Sequence, residues 1–188
     1  HEGPVGVFDG KLKEPGYGDL KDGPVALTTT GGWLGITDKY WLTALVPDQK
    51  EPVKGRFSHA LRDRADIYQA DFLGAERQIP PGGSVESTTR FFAGAKEVKL
   101  LESYEDAGVD RFADAVDWGW FFFLTKPIFH LLDFFHRLLG NFGLGILLLT
   151  VIIKLLFFPL ANKSYAAMAK MKTLQPQMME LSEKFGDD

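Results

Sequence analysis

Residues 142–158 read Phe142-Gly-Leu-Gly-Ile-Leu-Leu-Leu-Thr-Val-Ile-Ile-Lys-Leu-Leu-Phe-Phe158, and every side chain is apolar or small except Thr150 and Lys154. At about 1.5 Å of rise per residue the run spans most of a hydrocarbon core about 30 Å thick. Leu138 and Leu139 extend it upstream, and Pro159 is the first break. A helix from a soluble core keeps a polar face, and this stretch has none. It reads as a transmembrane helix.

Lys154 is the exception within it. A lysine inside an apolar helix costs roughly 2.5–3.5 kcal/mol on insertion scales, and such residues face water or carry function. Its stem is also long enough to lift the ammonium to a nearby interface. Thr150 lies one turn earlier on the same face, with Leu147 and Gly143 continuing the stripe. Small and polar groups on one stripe suggest a face that meets protein or a wet cavity; packing between helices uses such stripes too.

Downstream the chain turns basic, with Lys163, Lys170 and Lys172 and no acid until Glu180. By the positive-inside rule this end is cytoplasmic, although Lys126 and Arg137 lie on the other flank. Met171, Leu174, Met178, Leu181 and Phe185 recur at steps of three and four, a seam that wants a partner helix. Pro176 within it predicts a local kink or break.

Upstream, Trp118, Trp120, Phe121, Phe122 and Phe123 form an aromatic cluster of the kind found at membrane–water boundaries. Pro127 fits the first turn of a helix. From there Lys126, His130, Asp133 and Arg137 fall on one helical face, while Phe129, Phe134 and the leucines cover the rest. Residues 118–139 are therefore expected to lie in the interface plane as an amphipathic helix, residues 140–160 to cross the membrane, and 161–188 to continue as a cytoplasmic helix whose partner lies in another chain or in a further part of a longer one.

Residues 1–117 have a different composition. Up to residue 118 there are 14 Lys/Arg against 20 Asp/Glu, a balance of −6; beyond it 7 against 5, or +2. The acidic excess suits a soluble domain and argues against nucleic-acid binding. Cysteine is absent, so disulfides are excluded. Dense Gly and Pro punctuation separates short β-favouring runs at 25–30, 33–36, 40–46, 67–72 and 84–93, the spacing of a sandwich. A short helix over 96–105, with Val98, Leu101 and Tyr104 at helical spacing, closes this domain. Ninety-odd residues make a modest sandwich core, so the domain is expected to be the latter part of something larger. His1 and the abrupt end at Asp188 likewise suggest a portion of a longer protein.

No catalytic pattern is evident in residues 1–117. His1 and His59 are the histidines, and the acids are scattered without metal-ligand spacing, a nucleophile elbow or a phosphate-cradling loop. Neither enzyme activity, a metal nor a cofactor is expected. Trp33, Tyr40 and Trp41 could stack on a sugar, but aromatics in alternating strands are usually core residues.

Gly140-Asn-Phe-Gly143, Thr150-Val-Ile-Ile-Lys154, Pro159-Leu160, Tyr165, Met168-Ala-Lys-Met171 and Leu174-Gln-Pro176 follow one another in order, preceded by Gly31-Gly-Trp33 and by Asp117-Trp-Gly-Trp120 through Pro127. With this combination the chain resembles the YidC membrane protein insertases. The first set is similar to that family's first core membrane helix and following cytoplasmic helix, and the second to its periplasmic strands and interfacial helix. The resemblance implies an all-β periplasmic supersandwich without catalysis, in a bacterial inner-membrane protein that is multi-pass at full length. It implies a hydrophilic groove within the membrane that receives nascent membrane proteins and releases them sideways into the phospholipid bilayer. It also implies work alone or with the Sec translocon and its accessory proteins, and ribosome contact through the cytoplasmic regions. Lys154 stands where many members carry Arg, and Thr150 where they carry a groove Thr. Lysine keeps the charge but loses the bidentate fork for carboxylates. A tethered carbohydrate-binding or sensor ectodomain, or an anchored sugar epimerase or hydrolase, are the competing readings.

Overall fold

The computed structural model describes residues 1–185, with side chains from His1 to Met171. The chain divides into two compact units, His1–Asp117 and the part from Trp118 onward.

The first unit is a β-sandwich. A five-stranded sheet has the order β2-β1-β4-β5-β8, and a three-stranded sheet the order β3-β6-β7. Its strands are β1 Gly3–Phe8, β2 Lys11–Lys13, β3 Val25–Thr30, β4 Trp33–Thr37, β5 Trp41–Val46, β6 Pro52–Arg62, β7 Ala65–Gly74 and β8 Arg90–Ala95, with a single-turn helix α1, Asp19–Asp22, between β2 and β3. Every pairing is antiparallel. Two tight hairpins depend on residues with positive φ: Asp9 (48°) and Gly10 (68°) between β1 and β2, Asp63 (51°) and Arg64 (67°) between β6 and β7. That geometry matches the right-handed twist of the strands it joins.

Strand β4 is buried on both sides because each face meets its own core. Trp33 packs with Val5, Val7, Leu42, Ala44 and Val46 beneath α2 (Val98–Asp106) and the short 3₁₀ helix Phe112–Ala115. Leu34 packs on the opposite face with Phe8, Leu20 and Phe57, between the two sheets. The first core carries an edge-on aromatic cluster: Phe112 lies 5.2 Å from Trp33, 5.5 Å from Phe92 and 5.9 Å from Tyr104. Perpendicular arrangements of this kind add to the area they bury. Gln49 satisfies an irregular stretch next to β4, accepting from the Gly32 amide and donating to the Gly32 carbonyl, both at 2.9 Å.

The second unit is helical. Helix α3 runs Phe122–Leu139 and α4 runs Phe142–Phe185. Gly140, with φ 66°, ends α3, and its amide bonds the His136 carbonyl. Asn141 then opens α4, its side-chain oxygen accepting from the Leu144 amide at 3.2 Å.

Several elements differ from the sequence reading. Strands β1, β2 and β6 lie in stretches read as turns or left unread, and residues 84–89 are loop where a strand is expected. Pro127 sits inside α3, which starts at Phe122, so it falls past the first turn; the bond it forgoes is to the Phe123 carbonyl, close to the open end. Pro159 lies within α4 and does not end it. Of the three aromatics read as core, only Trp33 is: it is 1% exposed, whereas Tyr40 is 65% and Trp41 61% exposed. Lys172, Leu174, Pro176, Met178, Leu181 and Phe185 of the expected seam and basic face lie outside the residues whose side chains are described.

Candidate functional site

The apolar part of α4, Phe142–Met171, is 30 residues long and almost wholly exposed within its unit. Thirty residues of helix measure about 45 Å, enough to cross a bilayer with some tilt. A soluble core helix of this composition would be buried, and this one is not.

Helix α3 covers one face of α4. Gly145 lies at the contact, where a β-carbon would sit 3.4 Å from the His136 amide nitrogen and 3.6 Å from a Leu132 methyl carbon, so a small residue fits and a long one would not. Leu149, one turn on, and Phe135 of α3 are both buried. Lys154 comes nine residues after Gly145 and five after Leu149, which places it on roughly the far side of the helix. Gly143, Leu147, Thr150 and Lys154 therefore form a stripe that α3 leaves uncovered. The Thr150 hydroxyl donates to the Ile146 carbonyl at 2.8 Å, turned back onto its own helix. Lys154 is exposed and has no hydrogen bond or ion pair among the described residues. Its ammonium has no counter-charge among the described residues and lies within the apolar segment. Lys163 and Lys170, further along, are exposed too.

Helix α3 has three faces. Asp133 takes two hydrogen bonds from Arg137, at 3.0 and 2.5 Å, across one turn of the charged stripe that also holds Lys126 and His130. Phe135 and Leu132 meet α4, on the side away from that stripe. Leu124, Leu131, Phe134 and Leu138 form an exposed apolar flank, while Phe129 is half-buried against Trp118, ring centroids 5.3 Å apart. At the start of the helix Trp120, Phe121, Phe122 and Phe123 stay exposed, Trp120 at 84%. Charge on one side and bare apolar surface on another is what a water–hydrocarbon boundary stabilises.

In the sandwich, the titratable groups gathered about His59 are bound up in fold contacts. Asp66 accepts from His59 Nε2 and from Lys21 Nζ, each at 2.7 Å, tying α1 to the β6–β7 hairpin. Lys21, then His59, hold the Asp66 carboxyl below the usual carboxylate range. Both carboxylate oxygens are engaged. The sequence signal missed here is Trp41: composition marks an aromatic in a strand, but not which side of the sheet it takes.

Comparison with known proteins adds family evidence. Residues 1–131 match the family described as the YidC periplasmic domain, and residues 134–188 the family described as 60Kd inner membrane protein. The membrane protein insertase YidC of Sinorhizobium fredii is 51% identical over 191 residues, which is 100% of this chain and 32% of that protein. The proteins of the same description from Agrobacterium fabrum and Rhizobium meliloti are 51% and 52% identical, again over 100% of this chain and 32% of each relative. The chain thus spans about a third of the length of the curated relatives it matches.

Proposed function

The chain belongs to the YidC family of membrane protein insertases, and we propose that it forms the part of such an insertase that presents a cation to incoming polypeptide within the membrane. The observation that carries this reading is Lys154: a lysine without a counter-charge among the described residues, on the face of an apolar helix that its neighbour α3 leaves bare. An uncompensated ammonium at that depth attracts polar and acidic parts of a passing chain. A charge pair about 4 Å apart at an effective dielectric near 20 is worth about 4 kcal/mol before desolvation, enough to draw an acidic segment inward without trapping it. Being a point charge, Lys154 does not impose the planar two-point geometry that a guanidinium would. Thr150 lines the same stripe.

In this reading α3 rests at the membrane surface with Lys126, His130, Asp133 and Arg137 toward water. The sandwich is periplasmic, and the basic stretch with Lys163, Lys170 and Lys172 is cytoplasmic. The rest of the groove comes from further helices of a multi-pass protein. The partners are nascent membrane proteins and phospholipid, with the Sec translocon and the ribosome as further contacts of the whole insertase; the role is transport and not catalysis.

The test is made in the full-length protein. Lys154→Glu should impair insertion of substrates whose translocated tails are acidic, and Lys154→Arg should preserve it, with expression and membrane localisation of each variant measured alongside. Normal insertion by Lys154→Glu would remove the role assigned to this side chain.

A further inference from the structure

The sandwich carries a second feature that the insertase reading leaves unused. Beside the β4–β5 turn is a cleft of about 380 Å³, whose walls include Glu2, Tyr17, Ile36, Asp38, Trp41 and Thr43. Trp41 projects from β5 on the side opposite Leu42, Ala44 and Val46, which fill the core, and its indole makes no ring or cation contact among the described residues. Next to it the same preference is already satisfied internally, since Lys39 Nζ sits 5.3 Å from the Tyr40 ring centroid. The charged groups lining the Trp41 cleft are both carboxylates. Asp38 spends one oxygen on the Lys39 amide at 2.7 Å and, like Glu2, faces Lys96. Glu2 makes no hydrogen bond among the described residues, although it also faces Lys96. Tyr17 is pushed above its usual range by burial first, then by Asp38 and, more weakly, by Tyr68 and Glu2, so the two acids share its corner of the cleft and its hydroxyl stays protonated.

We propose that this cleft binds an organic ammonium group, with the cation over the Trp41 indole and between the Asp38 and Glu2 carboxylates. An aromatic face and two carboxylates attract the same positive charge, one through the ring quadrupole and the other through direct Coulomb interaction. A neutral sugar would use the indole but gain little from two negative charges. The ammonium of a free small molecule and that of a lipid headgroup are recognised by the same chemistry. The proposal is independent of Lys154.

The experiment follows the indole N–H resonance of Trp41, assigned by its loss in Trp41→Phe, in the whole chain held in a polyoxyethylene detergent. Choline chloride should shift that resonance saturably, and the uncharged isostere 3,3-dimethylbutan-1-ol should not. Asp38→Asn combined with Glu2→Gln should weaken choline binding by about tenfold while leaving the other indole resonances in place. In a parallel arm the chain is placed in phosphatidylethanolamine or phosphatidylglycerol nanodiscs without choline. A shift in the first and none in the second identifies a headgroup as the source, whereas a response to choline alone identifies a soluble cation; either supports the site. An equal response to the isostere or to glucose, an unchanged affinity in the double variant, or no response to any ammonium in either arm would overturn it.

Discussion

A β-carbon built on Gly35 in β4 would stand 1.9 Å from the carbonyl oxygen of Thr43 in β5, and 2.8 Å from the Cα of Ala44. The neighbours are backbone, so they cannot swing aside as a side-chain tip would. Gly35→Ala should therefore force the two central strands apart and cost about 1–3 kcal/mol, read as a lower urea midpoint at unchanged slope. Gly74→Ala, at a position where an added carbon meets nothing within 4 Å, is the matched control and should unfold close to the parent.

Phe112 is the hub of the aromatic cluster, edge-on to Trp33, Phe92 and Tyr104 at once. Phe112→Ala should cost about 3–5 kcal/mol, because three rings lose a partner and the strands around them cannot close the gap. Phe112→Leu should recover much of the loss. Chemical unfolding followed by near-ultraviolet circular dichroism measures both.

The Lys21–Asp66–His59 link makes a pH prediction. Asp66 has a folded-state pKa lowered first by the Lys21 hydrogen bond and then by His59. Between that lowered value and the unfolded value of about 3.9, the unfolded chain binds the extra proton, so stability rises with pH across the window. The contribution is in place above about pH 4 and is lost as pH falls through the folded-state value. Asp66→Asn should flatten this part of the acid limb in unfolding curves taken between about pH 5 and pH 2.

Gly145 lies where α3 packs on α4, and a β-carbon added there would meet its two nearest neighbours at ordinary contact distances of 3.4 and 3.6 Å. Gly145→Ala should consequently be accommodated, while Gly145→Leu should push α3 away. Spin labels on the outer faces of the two helices should report an unchanged distance in the first variant and a longer, broader one in the second. An unchanged distance in Gly145→Leu would mean that the pair is held elsewhere.

What could be read from residues alone follows physical lines. Val25–Thr30, Trp33–Thr37 and Trp41–Val46 are visible as strands because β-branched and aromatic residues crowd between glycine and proline turns. Strand β6 is not, because two of its positions look wrong for a strand: Pro52 begins it, and Gly55 takes an inward place. The ring of Phe8 fills that place, 2.4 Å from where a β-carbon on Gly55 would be. Gly6 in β1 is similar, with the Trp33 carbonyl oxygen 2.7 Å from its missing β-carbon. A glycine demanded by a neighbour looks, in one dimension, the same as a glycine demanded by a turn. Lys154 was legible because a charge inside an apolar run stands out by composition, and the stripe to Thr150 because helical spacing is a local property. Which face α3 would leave bare was not legible, since it depends on how Gly145 lets another segment approach.

That Pro159 does not end α4 has a mechanical consequence. The helix is continuous for 44 residues, about 66 Å of rise, more than twice the depth of a hydrocarbon layer. The turns bearing Lys154 and the turns bearing Lys163 and Lys170 therefore belong to one helix, with no loop between them. A displacement of the basic turns is passed along the helical backbone toward the ammonium.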